Sequence, residues 1–124
     1  PVRMVENPRF AVGMHSSIRA GVKALGACDF FAVCLGDQPT IPALVYAELR
    51  SEVGEESLLA PANSGKRGSP VFISSALIPE ILAHEDDDRG CAYLFQSHAA
   101  KLVEVIDPSI FQDLDTPEDY AALK

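Results

Sequence analysis

Three cysteines, a shortage of basic residues and the absence of any long apolar run set the first limits on this 124-residue chain. Cys28, Cys34 and Cys91 are odd in number and have no C-x-x-C spacing, which argues against a disulfide framework and against a zinc knuckle. Cys34 lies in an apolar run and reads as a small core residue. The expected compartment is reducing cytoplasm. Ten Lys and Arg stand against 18 Asp and Glu, for a formal net charge of −8. No basic cluster is dense enough to track a phosphate backbone, so nucleic acid is not an expected partner. Nor is a membrane, since no apolar run approaches the roughly 20 residues needed to cross one. His15, His84 and His98 have no ligand-like spacing with the cysteines, which speaks against zinc. Glu85 to Asp88 lacks the regular oxygen spacing of a calcium loop and reads as a solvated loop, with Asp88 capping a helix. No nucleophile–base pair can be defended. The chain opens at Pro1 rather than at a methionine, so we expect either a removed initiator or a longer protein that has been cut.

The residues that are present form an alternation. Val2 to Val5 is strand-like. A helix is expected from about Ser16 to Leu25, with Ile18, Val22 and Leu25 on one face and Gly26 at its C-terminal end. Phe30 to Leu35 is a continuous apolar run, as in strands covered on both faces. After "GDQPTIP", Thr40 can cap a helix with Pro42 in its first turn and Leu44, Val45, Leu49 and Val53 as its apolar stripe. Leu58 to Ala60 reads as a strand, "PANSGKRGS" as a flexible loop and Pro70 to Ser74 as a strand. Ala76 to Ala83 reads as a helix with Pro79 near its start. A helix around Cys91 to His98 and a strand at Leu102 to Ile106 follow. The last segment is a short strand feeding a helix capped by Thr116, with Pro117 at its first position and Asp119 completing a capping box. This order predicts an α/β fold with a mostly parallel sheet in one domain.

Ligands of such sheets bind beyond the carboxyl ends of the strands, and Asp37 falls at one. A carboxylate beside an apolar strand needs a compensating charge. Mg²⁺, an oxygen-seeking ion often held by one or two carboxylates, would supply it; capping of the next turn is the plainer alternative. Asp113 and Asp115 alternate onto one side of an extended segment, and Asp115 could face the same cleft or merely complement a helix dipole. In "GMHSSIRAG", Gly13 would let the backbone approach a ligand, and Ser16 and Ser17 lie at a helix N-terminus that favours anions. Gly65 and Gly68 suggest a mobile loop in which Lys66 and Arg67 offer positive charge; a solvated turn would look similar.

The ordered set "NPRFAVGMHSSIRAGV", "VCLGDQPTIP", "SGKRGSPVFIS" and "DLDTPEDYAAL" resembles the MobA-like nucleotidyltransferases, in particular their molybdenum cofactor cytidylyltransferase branch. The resemblance implies a Rossmann-like fold of the glycosyltransferase-A type. It further implies Mg²⁺-dependent transfer of a nucleotidyl group, CMP from CTP, onto the phosphate of molybdopterin. By position, Asp37 would be the Mg²⁺ ligand at the end of the central strand, aimed by the turn at Gln38-Pro39. Asp115 would be the second acid, with Asp113 as its substitute. Gly13, Ser16 and Ser17 would face the nucleotide or acceptor phosphate. Gln38, Arg67, Gly68 and Pro70 would complete that surface, while Ser69 stands where relatives often carry a larger polar residue. The family's opening strand and its loop L-A-A-G-x-S-x-R-M-G have no counterpart here. Residues 1–124 therefore resemble the C-terminal part of such a domain, without its N-terminal strands or its base selection. One side of the Phe30–Leu35 strand would then need cover from a homo-oligomer or from a missing N-terminal half. Still open are guanylyl transfer, a sugar-phosphate acceptor, or a truncated, non-catalytic domain that binds a partner.

Overall fold

The computed structural model describes residues 2–123. Two layers of helices enclose a five-stranded sheet. Helix α1 (Met14–Lys23) leads to strand β1 (Phe30–Val33), and α2 (Ala43–Ser51) leads to β2 (Leu58–Asn63), β3 (Lys66–Arg67) and β4 (Val71–Ser74). Helices α3 (Ile78–Ala83) and α4 (Leu94–Ser97), strand β5 (Ala100–Glu104) and helix α5 (Pro117–Ala121) complete the chain. Across the sheet the order is β1-β4-β2, with β5 in parallel on the other side of β2. β4 runs antiparallel to both β1 and β2. β1, β2 and β5 therefore point one way, and β4 is a reversed strand inserted between two of them.

β2 is the middle of the molecule. Its first five residues are all buried, and successive side chains leave opposite faces of the sheet. Leu58 packs with Val22, Phe31, Ile73, Ile81 and Leu94. Leu59 packs with Ile41, Val45, Leu49, Val105 and Ile110. Two cores on the two faces of one strand are what a sheet layered between helices requires.

The expected order of elements holds, with corrections. Val2 to Val5 forms no strand and is exposed, having no neighbour with which to pair. α1 starts two residues before Ser16 and ends at Lys23, with Ala24 rather than Gly26 as its C-cap. Thr40 does not cap α2. Pro42 does, without a side-chain bond, and the Thr40 hydroxyl donates instead to Gln112 Oε1 at 3.2 Å. Leu44 is exposed. The helix around Cys91 shrinks to α4, and the following strand begins at Ala100. No strand precedes α5; a 3₁₀ turn at Pro108–Phe111 stands there, its start capped by Asp107. The capping box of Thr116 and Asp119 is present, with Pro117 in the first turn.

The Phe30 run is not covered on both faces. β1 has only β4 beside it and is an edge strand among the described residues, and Ala32 and Cys34 are exposed. Cys34 is thus not a core residue. A continuous apolar run shows that a strand is buried by something, but not on which side its neighbour lies. The segment read as a flexible loop is a tight hairpin. Ser64 and Gly65 both take positive φ, 51° and 80°, the pairing that lets a two-residue turn match the twist of its strands. Asn63 and Lys66 face each other across it.

Candidate active site

The hairpin matters because it aims charge. Lys66 and Arg67 stand on β3, and each is backed by a ring. The Lys66 ammonium lies 4.6 Å from the centre of Phe111, and the Arg67 guanidinium 3.6 Å from that of Phe95. Neither has a carboxylate partner among the described residues. Gly68 lets the strand leave the hairpin close to the Pro108–Phe111 turn, where an added Cβ would fall 2.6 Å from the carbonyl oxygen of Ile110. Beside these residues opens a cleft of about 350 Å³, the size of a small-molecule pocket. Gln38, Lys66, Arg67, Arg89 and Asp113 supply its charged and amide groups. In a chain with a net charge of −8, three cations around one cleft favour an anionic ligand.

The carboxyl end of β1 leads to this cleft. The turn after it folds back through Gln38 N–H to Leu35 C=O at 3.3 Å, burying Gln38. Leu114 N–H donates to Asp37 C=O at 2.8 Å, and Gln38 Nε2 donates to Asp113 Oδ1 at 2.6 Å. The 37–38 turn and the 113–115 segment are thereby stitched together. The carboxylates of Asp37 and Asp115 are exposed beside this seam and do not line the cleft, whereas Asp113 does. Among the described residues no three His, Cys, Asp or Glu side chains converge on a metal position. The donor set on offer is one or two carboxylate oxygens. That set fits Mg²⁺, which takes few protein carboxylates and completes its shell with water and phosphate.

The other residues expected at the site are placed differently. Pro70 is fully buried, directly before β4, and does not line the cleft. Ser17 lies in a separate groove between α1 and β1. The Ser16 hydroxyl is spent within the chain: its one proton lies between the carbonyls of Gly13 (2.8 Å) and Arg9 (3.0 Å), and its oxygen accepts from Asn7 Nδ2. Nor is the α1 N-terminus open to an anion. Met14 N–H donates to Asp88 Oδ1 at 3.3 Å and His15 N–H to Asp87 C=O at 3.0 Å. Asp88 therefore caps a helix 74 residues away in sequence. Gly13 admits close approach, but of the Asp87 backbone and not of a ligand.

The acidic run is not simply solvated. The Asp86 carboxylate is 8% exposed and receives Arg19, with Arg9 and His15 Nδ1 each 3.5 Å away. Arg19 also donates to the carbonyl of His84. The fully buried His15 meets Tyr93 Oη at 3.0 Å through Nε2, and the His84 ring stacks on Tyr93 at 3.5 Å. This cluster fastens residues 84–90 to α1, and the same loop brings Arg89 to the cleft. Arg89 was missed in the sequence because it follows three aspartates.

Burial holds the His15 pKa below its ordinary 6.5, against the opposing pull of the nearby Asp86 carboxylate. The unfolded chain takes up this proton near pH 6.5 while the folded chain resists it. The stability gained by keeping His15 neutral is therefore present above about pH 6.5 and is lost as the pH falls through the lower, folded value. Melting temperatures should fall between pH 7 and pH 5.5, and His15→Gln should flatten that slope. An unchanged slope in the variant would remove His15 from the account.

With this geometry in view, the relationships are clear. Residues 1–102 match the MobA-like NTP transferase domain, and the chain belongs to that family. It is 26% identical to the molybdenum cofactor cytidylyltransferase of Escherichia coli over 124 residues, which is 99% of this chain but 62% of that protein. The chain thus spans less than two-thirds of this relative's length. Among solved structures, Rv0371c of Mycobacterium tuberculosis superimposes with a TM-score of 0.74 at 21% identity, over 88% of this chain and 58% of that one. A manganese complex of Rv0371c gives 0.72 at 21% identity, over 86% and 58%. The 4-diphosphocytidyl-2C-methyl-D-erythritol synthase of Anaerococcus prevotii gives 0.71 at 16% identity, over 88% and 64%. The fold is the Rossmann-like, glycosyltransferase-A type of these proteins.

Proposed function

We propose that this chain forms the acceptor side of a nucleotidyltransferase that moves CMP from CTP onto the phosphate of molybdopterin and releases pyrophosphate. The observation that carries the reading is the cleft, where three cations in an acidic chain gather around one pocket that Asp113 also lines. The cytidylyltransferase relative supports the choice of substrates. Lys66, Arg67 and Arg89 would hold the acceptor phosphate and present one of its oxygens to the α-phosphorus of the nucleotide. As the new P–O bond forms, the bond from the α-phosphorus to the bridging oxygen breaks and pyrophosphate leaves, with no covalent link to the protein. Asp37 and Asp115, with Asp113 as substitute, would hold Mg²⁺, a divalent cation like the manganese bound by Rv0371c. When bound, Mg²⁺ supplies positive charge against the negative charge that builds on the transferred phosphate. Most of the protein's work is positioning, and the Phe95 and Phe111 rings limit the freedom of the two hairpin cations. In this reading residues 1–124 are the C-terminal part of a cytoplasmic enzyme. The open edge of β1 is covered by further chain of the same domain or by a second copy.

The test is to remove the hairpin's charge. Lys66→Gln combined with Arg67→Gln should raise the acceptor KM at least about tenfold, since charge-assisted hydrogen bonds contribute roughly 1.5–3 kcal/mol each. The CTP KM should change little. A double variant with a wild-type acceptor KM in a pyrophosphate-release assay would end this assignment of the cleft.

A further inference from the structure

Gln38 is 6% exposed yet forms part of the cleft wall. Its Nε2 donates to Asp113 Oδ1 at 2.6 Å, while its Oε1 is buried and has no partner among the described residues. Chemistry fixes which end is which. An ionised carboxylate oxygen only accepts, so the amide must turn its N–H₂ toward Asp113, and the carbonyl is the end left over. Leaving a buried acceptor unpaired is costly, and a ligand that brings a donor removes that cost. Beside its charged groups the cleft has an apolar part, with Met14, Ile18, Val33, Val71 and Phe95. That part suits the face of a flat ring.

We propose that Gln38 is a specificity-determining residue. Its Oε1 accepts a hydrogen bond from a ring N–H of a planar heterocycle whose phosphate lies on Lys66 and Arg67. The inference rests on the reading of the cleft as the acceptor site and adds which edge of the acceptor is recognised. Asp113 then has a second task, holding the Gln38 amide so that its carbonyl faces the ligand.

Two fluorescent probes test this: 6-hydroxymethylpterin, and its 3-methyl derivative, which lacks the ring N–H. Wild type should bind the parent at least about tenfold more tightly than the methylated probe. Gln38→Met, an apolar residue of similar length, should bind both probes equally and as weakly as wild type binds the methylated one. That non-additivity identifies a direct contact. Equal affinity of wild type for the two probes, or no binding of the parent, would overturn the proposal, and this arm stands even if Gln38→Met does not fold. Inorganic phosphate, titrated into wild type and Arg67→Gln, separates the two claims. Phosphate affinity lost in Arg67→Gln, without discrimination between the pterins in wild type, defeats the Gln38 inference and leaves the acceptor site standing. No phosphate affinity in wild type defeats both.

Discussion

Asp37→Asn is expected to slow nucleotidyl transfer by about 10²-fold or more, because the charge that would hold Mg²⁺ against the transferred phosphate is removed at nearly constant size. The fold should survive. What Asp37 contributes to the structure is its backbone carbonyl, the acceptor for Leu114 N–H, and asparagine keeps it. The side chain is exposed and makes no hydrogen bond among the described residues. A turn-capping role predicts the opposite outcome, since asparagine caps as well as aspartate. Pyrophosphate release followed over a Mg²⁺ titration decides between them. Near wild-type turnover with an unchanged Mg²⁺ dependence would end the ligand assignment.

The largest expected effect on stability is at Gly13. Its φ of 126° lies where L side chains rarely go, and an added Cβ would fall 2.4 Å from the Asp87 carbonyl oxygen. The obstacle is backbone that is itself held in place: Asp87 C=O accepts from His15 N–H, and the next residue caps α1. Gly13→Ala should therefore cost about 3 kcal/mol or more, from strain together with the displaced contact. That corresponds to a fall in melting temperature on the order of 10 °C in a domain of this size. Gly26→Ala is the control, since it has positive φ neither by sequence necessity nor in fact, and its added Cβ meets nothing within 4 Å. A Gly13→Ala protein that melts with wild type would mean that α1 and the acidic loop are not locked together.

What the sequence made legible was local. The Thr116–Asp119 box is written in four consecutive residues, and Pro79 and Pro117 are tolerated only in first turns, where they are found. Leu58 and Leu59 could be seen as a buried strand, although not as the one that divides two cores. What was hidden depended on partners far along the chain. Asp86 reads as a solvent-facing acid until Arg19, 67 residues earlier, folds against it. Arg67 reads as a loose surface charge until Phe95 lies beneath it. Ser16 reads as an anion contact because its bonds to Arg9 and Gly13 depend on how the preceding turn folds back. Gln38 sat within a segment already tied to function, but its unpaired carbonyl exists only because Asp113 takes the other end of the amide.

The most direct test of the acceptor-site reading is product identity. The protein would be incubated with molybdopterin, Mg²⁺ and each of the four nucleoside triphosphates in turn, and the pterin fraction analysed by mass spectrometry. A CMP adduct of molybdopterin should form with CTP, with one pyrophosphate released per adduct. No adduct with any nucleotide from a folded protein that binds phosphate in the cleft would contradict it, as would transfer to a sugar phosphate in preference to the pterin.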